Sequence, residues 1–348
     1  MANLRDVANM ANVSVSTVHA VMSGKKYVSP LLKKRVENAL VQSGYIQEKQ
    51  QLAVQELQKE VGLILPGIYS SYFQPLLSGI EDVACKEGYN VILCDSDRKW
   101  SLERDLLARL MDRGVQNIIL DSVCSSEEEE EYYEKELLPL VRKRGVLIYM
   151  LSRPSRSPEI GSFSIDHYKT AYEAVSYLIE RRHQKIVHIC GDPTFPHSAL
   201  RIQGYRMALL DHDIGFDERL LLEGNFTPLS GFATMSELME KGINVDAVFS
   251  ANDQMAIGAM KAILNAGLRI PEDVAVVGFD DLAVSSIVSP SLTTVHYPIY
   301  QMGYGAMRNI VDERMGRPVE KKVELPAKLV VRRSTDASRA DDWGLNRW

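Results

Sequence analysis

The stretch Val13–Ser29, VSVSTVHAVMSGKKYVS, decides how the first fifty residues fold. Asn12 and Val13 break a preceding apolar pattern, and Ser14 has the short oxygen-bearing side chain that caps a helix start. In the helix that follows, Val18 and Val21 fall on one face, while Val15, Ser16, His19 and Ala20 fall on the other. Upstream, Asn3 can cap a helix over LRDVANMA, with Asp6 near its positive end and Leu4, Val7, Ala8 and Ala11 as the apolar face. Downstream, Ser29-Pro30 signals a third start, and LLKKRVENAL places Leu32, Val36 and Leu40 inward and Lys33 and Lys34 outward. These patterns predict three short helices around a small valine-rich core. The tight turn leaves the second helix prominent enough to enter a DNA major groove about 12 Å wide.

Charge is divided along the chain. Residues 1–50 carry seven Lys/Arg against three acids, a net of +4, whereas the whole chain has a net charge of −6. A compact basic module on an acidic body suits a protein of which one part meets a polyanion. The 348 residues are 45% hydrophobic and 25% charged, the composition of a globular protein with room for two or three domains. Cys85, Cys94, Cys124 and Cys190 lack metal or redox spacing and are read as reduced core residues. No secretory pattern opens the chain and no apolar run reaches the roughly 18 residues of a membrane span, so a cytoplasmic protein without a membrane partner is expected.

From Val61 onward the chain alternates apolar runs with amphipathic stretches. VGLILP, NVILCDS, NIILDS and VLIYML form one series; KIVHICG, AVFSAND and VAVVGFDD belong to a second. Continuous apolar strands joined by helices predict two lobes, each a parallel α/β sheet covered on both faces. Ligands of such sheets bind beyond the carboxyl ends of the strands, which singles out Asp95, Ser96, Asp121, Asp166, Asn252, Asp253, Asp280 and Asp281.

At this point a family resemblance is specific. LRDVANMANVSVSTVHAVMSG with VSPLLKKRVENALVQSGY, then RIQGYRMAL, FSANDQMAIGAMKAILNAGLRIPEDVAVVGFDD, SPSLTTVHYP and VVRRST, resemble in order the lactose-repressor (LacI/GalR) regulators. The resemblance covers nearly the whole chain. It implies an α/β protein with a helix-turn-helix three-helix headpiece (residues 1–46), a hinge (47–60) and a periplasmic-binding-protein-like, type I effector domain (61–335). Within that domain two doubly wound parallel sheets form lobes of roughly 61–163 and 164–290, with 291–335 crossing between them and a polar tail at 336–348.

The resemblance further implies that Val15, Ser16 and Ala20 read bases, that Thr17 and Tyr45 touch phosphates beside the cap residue Ser14, and that Lys26 lies against the DNA backbone. Ala20 stands where other members often carry Arg, His or Asn, and it can offer at most contact with a thymine methyl, so polar readout passes to Ser16 and His19. The hinge IQEKQQLAVQELQKE lacks the usual Pro-Asn start. Counting from Tyr45 puts Val54 at the minor-groove wedge and counting back from Gly62 puts Ala53 there, with Leu52 and Leu57 as alternatives, and a plain helical linker fits the same residues.

Effector-binding positions of the family map onto Tyr72, Phe73, Arg201, Phe226, Asn252 and Asp280, a set suited to a sugar or sugar phosphate. A guanidinium and a carboxylate each grip two hydroxyls, and aromatic faces stack on the C–H side of a ring. Asn252 and Asp280 could equally cap the helices after them, and Phe195 and His197 replace polar positions of some members. The expected function is a transcriptional regulator, a repressor, acting as a homodimer on a near-palindromic double-stranded DNA operator under control of a small carbohydrate effector. The competing reading is a sugar sensor without functional DNA binding. No nucleophile elbow, P-loop, dinucleotide fingerprint or metal set occurs, so neither an enzyme nor a cofactor is expected. The tail has no leucine heptads, and no tetramer-forming coiled coil is expected.

Overall fold

A computed structural model describes residues 3–24, 26–45, 59–125 and 131–340. Its first helix, α1 (Leu4–Ala11), opens with a reciprocal cap in which the Asn3 side chain accepts from Asp6 N and Asp6 accepts from Asn3 N. Asn12 then takes a left-handed conformation (φ 50°), a turn that Asn tolerates better than most residues. Helix α2 (Val15–Ser23) is capped by Ser14 and stopped by Gly24 at φ 64°; α3 (Pro30–Gln42) begins on its proline. Val7, Ala8, Ala11, Val18, Val36, Ala39 and Leu40 form their common core. Arg35 on α3 donates from Nη2 to the Ala11 carbonyl at 2.7 Å, so one headpiece cation closes the C-terminal end of α1.

In the body, β1 (Glu60–Leu65), β2 (Asn90–Asp95), β3 (Asn117–Leu120), β4 (Leu147–Leu151) and β5 (Gly161–Ser164) belong to one sheet. The second contains β6 (Ile186–Cys190), β7 (Leu221–Glu223), β8 (Ala247–Ser250), β9 (Ala275–Asp280) and β10 (Thr293–His296). The last two strands divide: β11 (Lys322–Glu324) pairs parallel with β5, and β12 (Lys328–Val330) pairs antiparallel with β10. The strand orders are β11-β5-β4-β3-β1-β2 and β12-β10-β9-β8-β6-β7, doubly wound sheets whose pairings are all parallel except at β12.

Side-chain alternation covers both faces of each sheet. In the first, Leu63, Ile119 and Tyr149 face α4 (Phe73–Glu87), whereas Ile64, Ile118 and Met150 face α5 (Trp100–Asp112) and α6 (Leu138–Arg144). In the second, Ile186 and Phe279 pack with α7 (His167–Glu180) and α8 (Pro196–Asp211). Val187, Val248 and Val276 pack on the other face with α9 (Pro228–Glu240) and α10 (Asp253–Asn265). After the short α11 (Ala283–Ile287), the long α12 (Ile299–Arg314) returns to the first lobe and packs on α4. That approach is close enough that a Cβ at Gly79 would overlap the Tyr300 carbonyl and one at Gly303 the Leu76 carbonyl.

The chain therefore passes between the lobes three times: between β5 and α7, between β10 and α12, and between β11 and β12. Arg182 takes φ 73° after α7. One reading needs correction: Cys85 is exposed rather than in the core, and Cys94 is half-buried, while Cys124 and Cys190 are buried. Cys85 lies on the outer face of α4, whose inner face is supplied by Leu76, Ile80 and Val83.

Candidate functional site: an interlobe cleft and a projecting helix

The carboxyl ends of β1, β2, β3, β4, β8 and β9 all open onto one cavity of about 480 Å³ between the lobes. Tyr72, Phe73, Arg201, Phe226, Asn252 and Asp280 all line it. Tyr72 and Phe73 come from the start of α4 and meet edge to face, with centroids 5.0 Å apart. Phe226 precedes α9 in a left-handed conformation (φ 65°), and its ring lies so close to Gly191 that a Cβ there would strike it.

Arg201, on α8, is 4% exposed. Its guanidinium lies 3.6 Å over the Phe279 ring, donates to the Ala251 carbonyl, and approaches His167 Nδ1 at 3.4 Å. Among the described residues Nε has no hydrogen-bond partner, and no carboxylate lies within salt-bridge distance of this cation. Burial pushes its pKa down, with Asp280 pulling the other way. Asp280 itself, at φ 116°, is raised well above the usual carboxylate range by burial and by its neighbour Asp253. Asn252 combines the two roles considered for it. It lines the cavity while Oδ1 accepts from Met255 N at 2.9 Å, capping α10, and Nδ2 donates to the Phe226 carbonyl at 3.1 Å.

The other polar strand ends divide sharply. Asp95 and Asp121 front the cavity, and burial pushes the Asp121 carboxyl up to about 7. Asp253 points inward and accepts from Leu282 N, Ser285 Oγ and Thr294 Oγ1; Asp281 is held by Arg332 at 2.6 Å and His296 at 2.9 Å. Asp166 caps α7, and Ser96 is buried on the Leu65 carbonyl. These four serve the fold.

Several further residues line the cavity: Ser152 directly after β4, Gln254 in the first turn of α10, Arg98 in the turn after β2, and His167 and Tyr297 on the interlobe crossings. His167 and Tyr297 occupy two of the interlobe crossings, where sequence shows only a polar residue before a helix and an aromatic before a proline. Phe195 and His197 stack with centroids 5.8 Å apart, and His197 also faces Phe226. Burial, reinforced by Arg201, holds His167 well below the usual histidine range and His197 at about 3, so both rings are neutral near pH 7.

At the headpiece, the Ser14 hydroxyl accepts from Thr17 N at 3.2 Å and lies 2.7 Å from Ser16 Oγ and 2.8 Å from Thr17 Oγ1. Three hydroxyls thus gather at the positive end of α2. Ser16, His19 and Lys26 are exposed, while Thr17 and Ala20 are half-buried. Val15, the first residue of α2 and expected to look outward, packs partly against the headpiece core, and so does Tyr45 beyond the end of α3. Val54, Ala53, Leu52 and Leu57 lie outside the described residues.

Comparison with known proteins adds the remaining observation. Residues 3–48 match the model for bacterial regulatory proteins of the lacI family, and residues 175–335 match a periplasmic binding protein-like domain. Catabolite control protein A of Priestia megaterium is 31% identical over 333 residues, covering 95% of this chain and 98% of that protein. The chain belongs to the lacI family. Among solved lacI-family structures, the lac repressor dimer bound to operator and the anti-inducer ONPF superposes with a TM-score of 0.71 at 26% identity, covering 96% of this chain and 99% of that one. The complex of the regulator CelR with cellobiose gives 0.69 at 29% identity, covering 96% and 100%. As a lacI-family protein this chain is a DNA-binding transcription regulator and not an enzyme, with a periplasmic-binding-protein-like effector domain. Among the described residues no helix is long and apolar enough to cross a membrane.

Proposed function

We propose that this protein represses transcription as a homodimer on a near-palindromic operator and that a small carbohydrate in the interlobe cleft sets its affinity for DNA. The observation that carries the reading is the single cavity built from strand ends of both lobes, with Arg201 and Asp280 on one side and Tyr72 and Asp121 on the other. A ligand held by both lobes stabilises one lobe arrangement over another, and it alters operator affinity only by its differential affinity for the two. In this reading residues 1–46 are the headpiece, 47–60 the joint and 61–335 the effector and dimerisation domain.

On DNA, α2 enters the major groove, with Ser16 and His19 hydrogen-bonding base edges and Ala20 and Val15 giving apolar contact. Ser14, Thr17, Lys26 and Tyr45 serve the phosphates, and Val54 is assigned to the minor groove. Related regulators solved with a bound carbohydrate, cellobiose in one and ribose in another, support the ligand class. A footprint on DNA upstream of the gene, repeated with candidate sugars, tests the reading. Protection of a two-fold site that changes with sugar is the expected result; a folded dimer that protects nothing at low salt overturns it.

A further inference from the structure

We propose that the end of the first lobe at which the joint attaches is a second DNA-contacting surface, holding phosphates of the duplex beside the stretch read by α2. The inference goes beyond the regulatory reading above and does not depend on the effector. All strand pairings other than that of β12 are parallel, so the strand starts of a lobe share one end. In the first lobe that end includes Glu60, the first residue of β1, where the chain arrives from the headpiece.

The segments leading from a last helical turn into a strand at that end are 84–90, 109–117, 141–147 and 311–322. Together they carry ten Lys/Arg against five acids, a net of +5. Cations are ordinarily favoured at helix C-termini, so this count alone admits a purely local explanation. The second lobe is the control. Its corresponding segments, 177–186, 208–221, 237–247, 262–275 and 284–293, carry six Lys/Arg against ten acids, a net of −4. Helix ends of the same kind therefore have opposite charge in the two lobes, and the basic set is the one joined to the basic headpiece.

Ion pairing does not cancel the excess. Four of the five acids are engaged: Glu87 and Asp312 by Arg308, Asp112 by Arg144, and Glu313 by Lys321. Lys86, Arg113, Lys143 and Lys322 are exposed and have no ion-pair partner among the described residues. They precede or open β2, β3, β4 and β11, positions that run from one edge of the six-stranded sheet to the other. At about 4.8 Å per strand the row is about 24 Å long, and a duplex presents one phosphate charge for every ~1.7 Å of its axis. Cations without an acid to hold them suit that target, because phosphate contacts position a protein without reading sequence. The far end of the second lobe carries the charge that DNA repels, so the two ends together orient the body on the duplex.

The test is binding of the full chain to a duplex of about 40 base pairs of arbitrary sequence, followed over a range of salt. The triple variant Arg113→Gln, Lys143→Gln, Lys322→Gln is compared with Lys185→Gln, Arg219→Gln, Lys241→Gln, which removes the same charge from exposed positions at the far end of the second lobe. The expected slope of log K against log salt is lower by about two to three units in the first triple and unchanged in the second, with melting unaltered in both. The charge-conserving triple Arg113→Lys, Lys143→Arg, Lys322→Arg keeps the wild-type slope. Lys143→Glu alone, at an exposed position, lowers the slope by a smaller amount and decides the matter if the first triple folds poorly. A slope unmoved by the first triple and by Lys143→Glu, moved equally by the second triple, or lost in the charge-conserving one overturns the proposal.

Discussion

Arg98 on the first lobe donates Nη1 to the carbonyl oxygen of Asn225 on the second, 3.0 Å across the mouth of the cleft. Its guanidinium also lies 5.7 Å from the centre of the Phe226 ring, and a second bridge runs from Gln254 Nε2 to Ser71 Oγ at 2.9 Å. The lobes are thus tied by the protein's own side chains beside the cavity. Exposed hydrogen bonds of this kind contribute about 0.5–1.5 kcal/mol each. Arg98→Ala should shift the interlobe equilibrium by a factor of about 2–10 toward separation. Spin-label distances between the lobes, with and without ligand, read that shift directly; an unchanged distribution refutes the tie.

Among the described residues no carboxylate lies within salt-bridge distance of the buried Arg201 cation, so its charge carries a desolvation cost. Arg201→Met should leave the stability of the unliganded protein within about 1 kcal/mol of wild type while abolishing ligand-induced thermal stabilisation. A variant that still responds to ligand would remove Arg201 from the site.

Asp121 carries a pH signature. Its folded-state pKa of about 7 lies above the unfolded carboxylate value near 3.9, so between those pH values the folded protein binds the extra proton. This group's contribution to stability therefore falls as pH rises through that window and is level above it. His167 and His197, depressed in the folded protein, act in the opposite sense, which makes the difference between variant and wild type the clean quantity. The stability of Asp121→Asn relative to wild type should increase from pH 4 to pH 7 and then plateau. A flat difference in denaturant titrations would refute the assignment.

Headpiece substitutions should separate structure from readout. Arg35→Ala removes the bond to Ala11 O and should destabilise the headpiece by about 1–2 kcal/mol. Ser14→Ala loses a helix cap worth about 1 kcal/mol. Ser16→Ala, at an exposed position, should leave melting unchanged and weaken operator binding at one base position. Lys26→Ala, at an exposed position assigned to the DNA backbone, should reduce the salt dependence of DNA binding by about one unit of slope. If Ser16→Ala weakens all DNA equally, α2 is not the reading helix.

Gly303→Ala forces a Cβ into the Leu76 carbonyl, where backbone and not a flexible side chain must yield. Loss of about 2–4 kcal/mol is expected, measured by chemical denaturation, since α4 and α12 would have to move apart.

Sequence made the architecture legible because parallel strands buried on both faces read as unbroken apolar runs, and VGLILP or VAVVGFDD admit few other states. Strand ends then pointed to Asp121, Asn252 and Asp280. The same rule also selected Asp253, Asp281 and Asp166, whose partners Thr294, Arg332 and Lys169 stand too far away, or in too ordinary a context, to be paired by eye. Arg98 carried no signal at all: it lies in the turn after β2 at φ 53°, and its role depends on a carbonyl 127 residues away. Val15 is half-buried rather than fully outward because it opens α2, where no preceding helical turn separates it from the headpiece core.

Three passes of the backbone between the lobes mean that neither half is a contiguous piece of the polypeptide. No single cut of the chain gives both fragments a complete sheet: a break between β5 and β6 strands β11 away from its partners, and a break between β11 and β12 strands β12. Any swing of one half against the other has to flex all three crossings together.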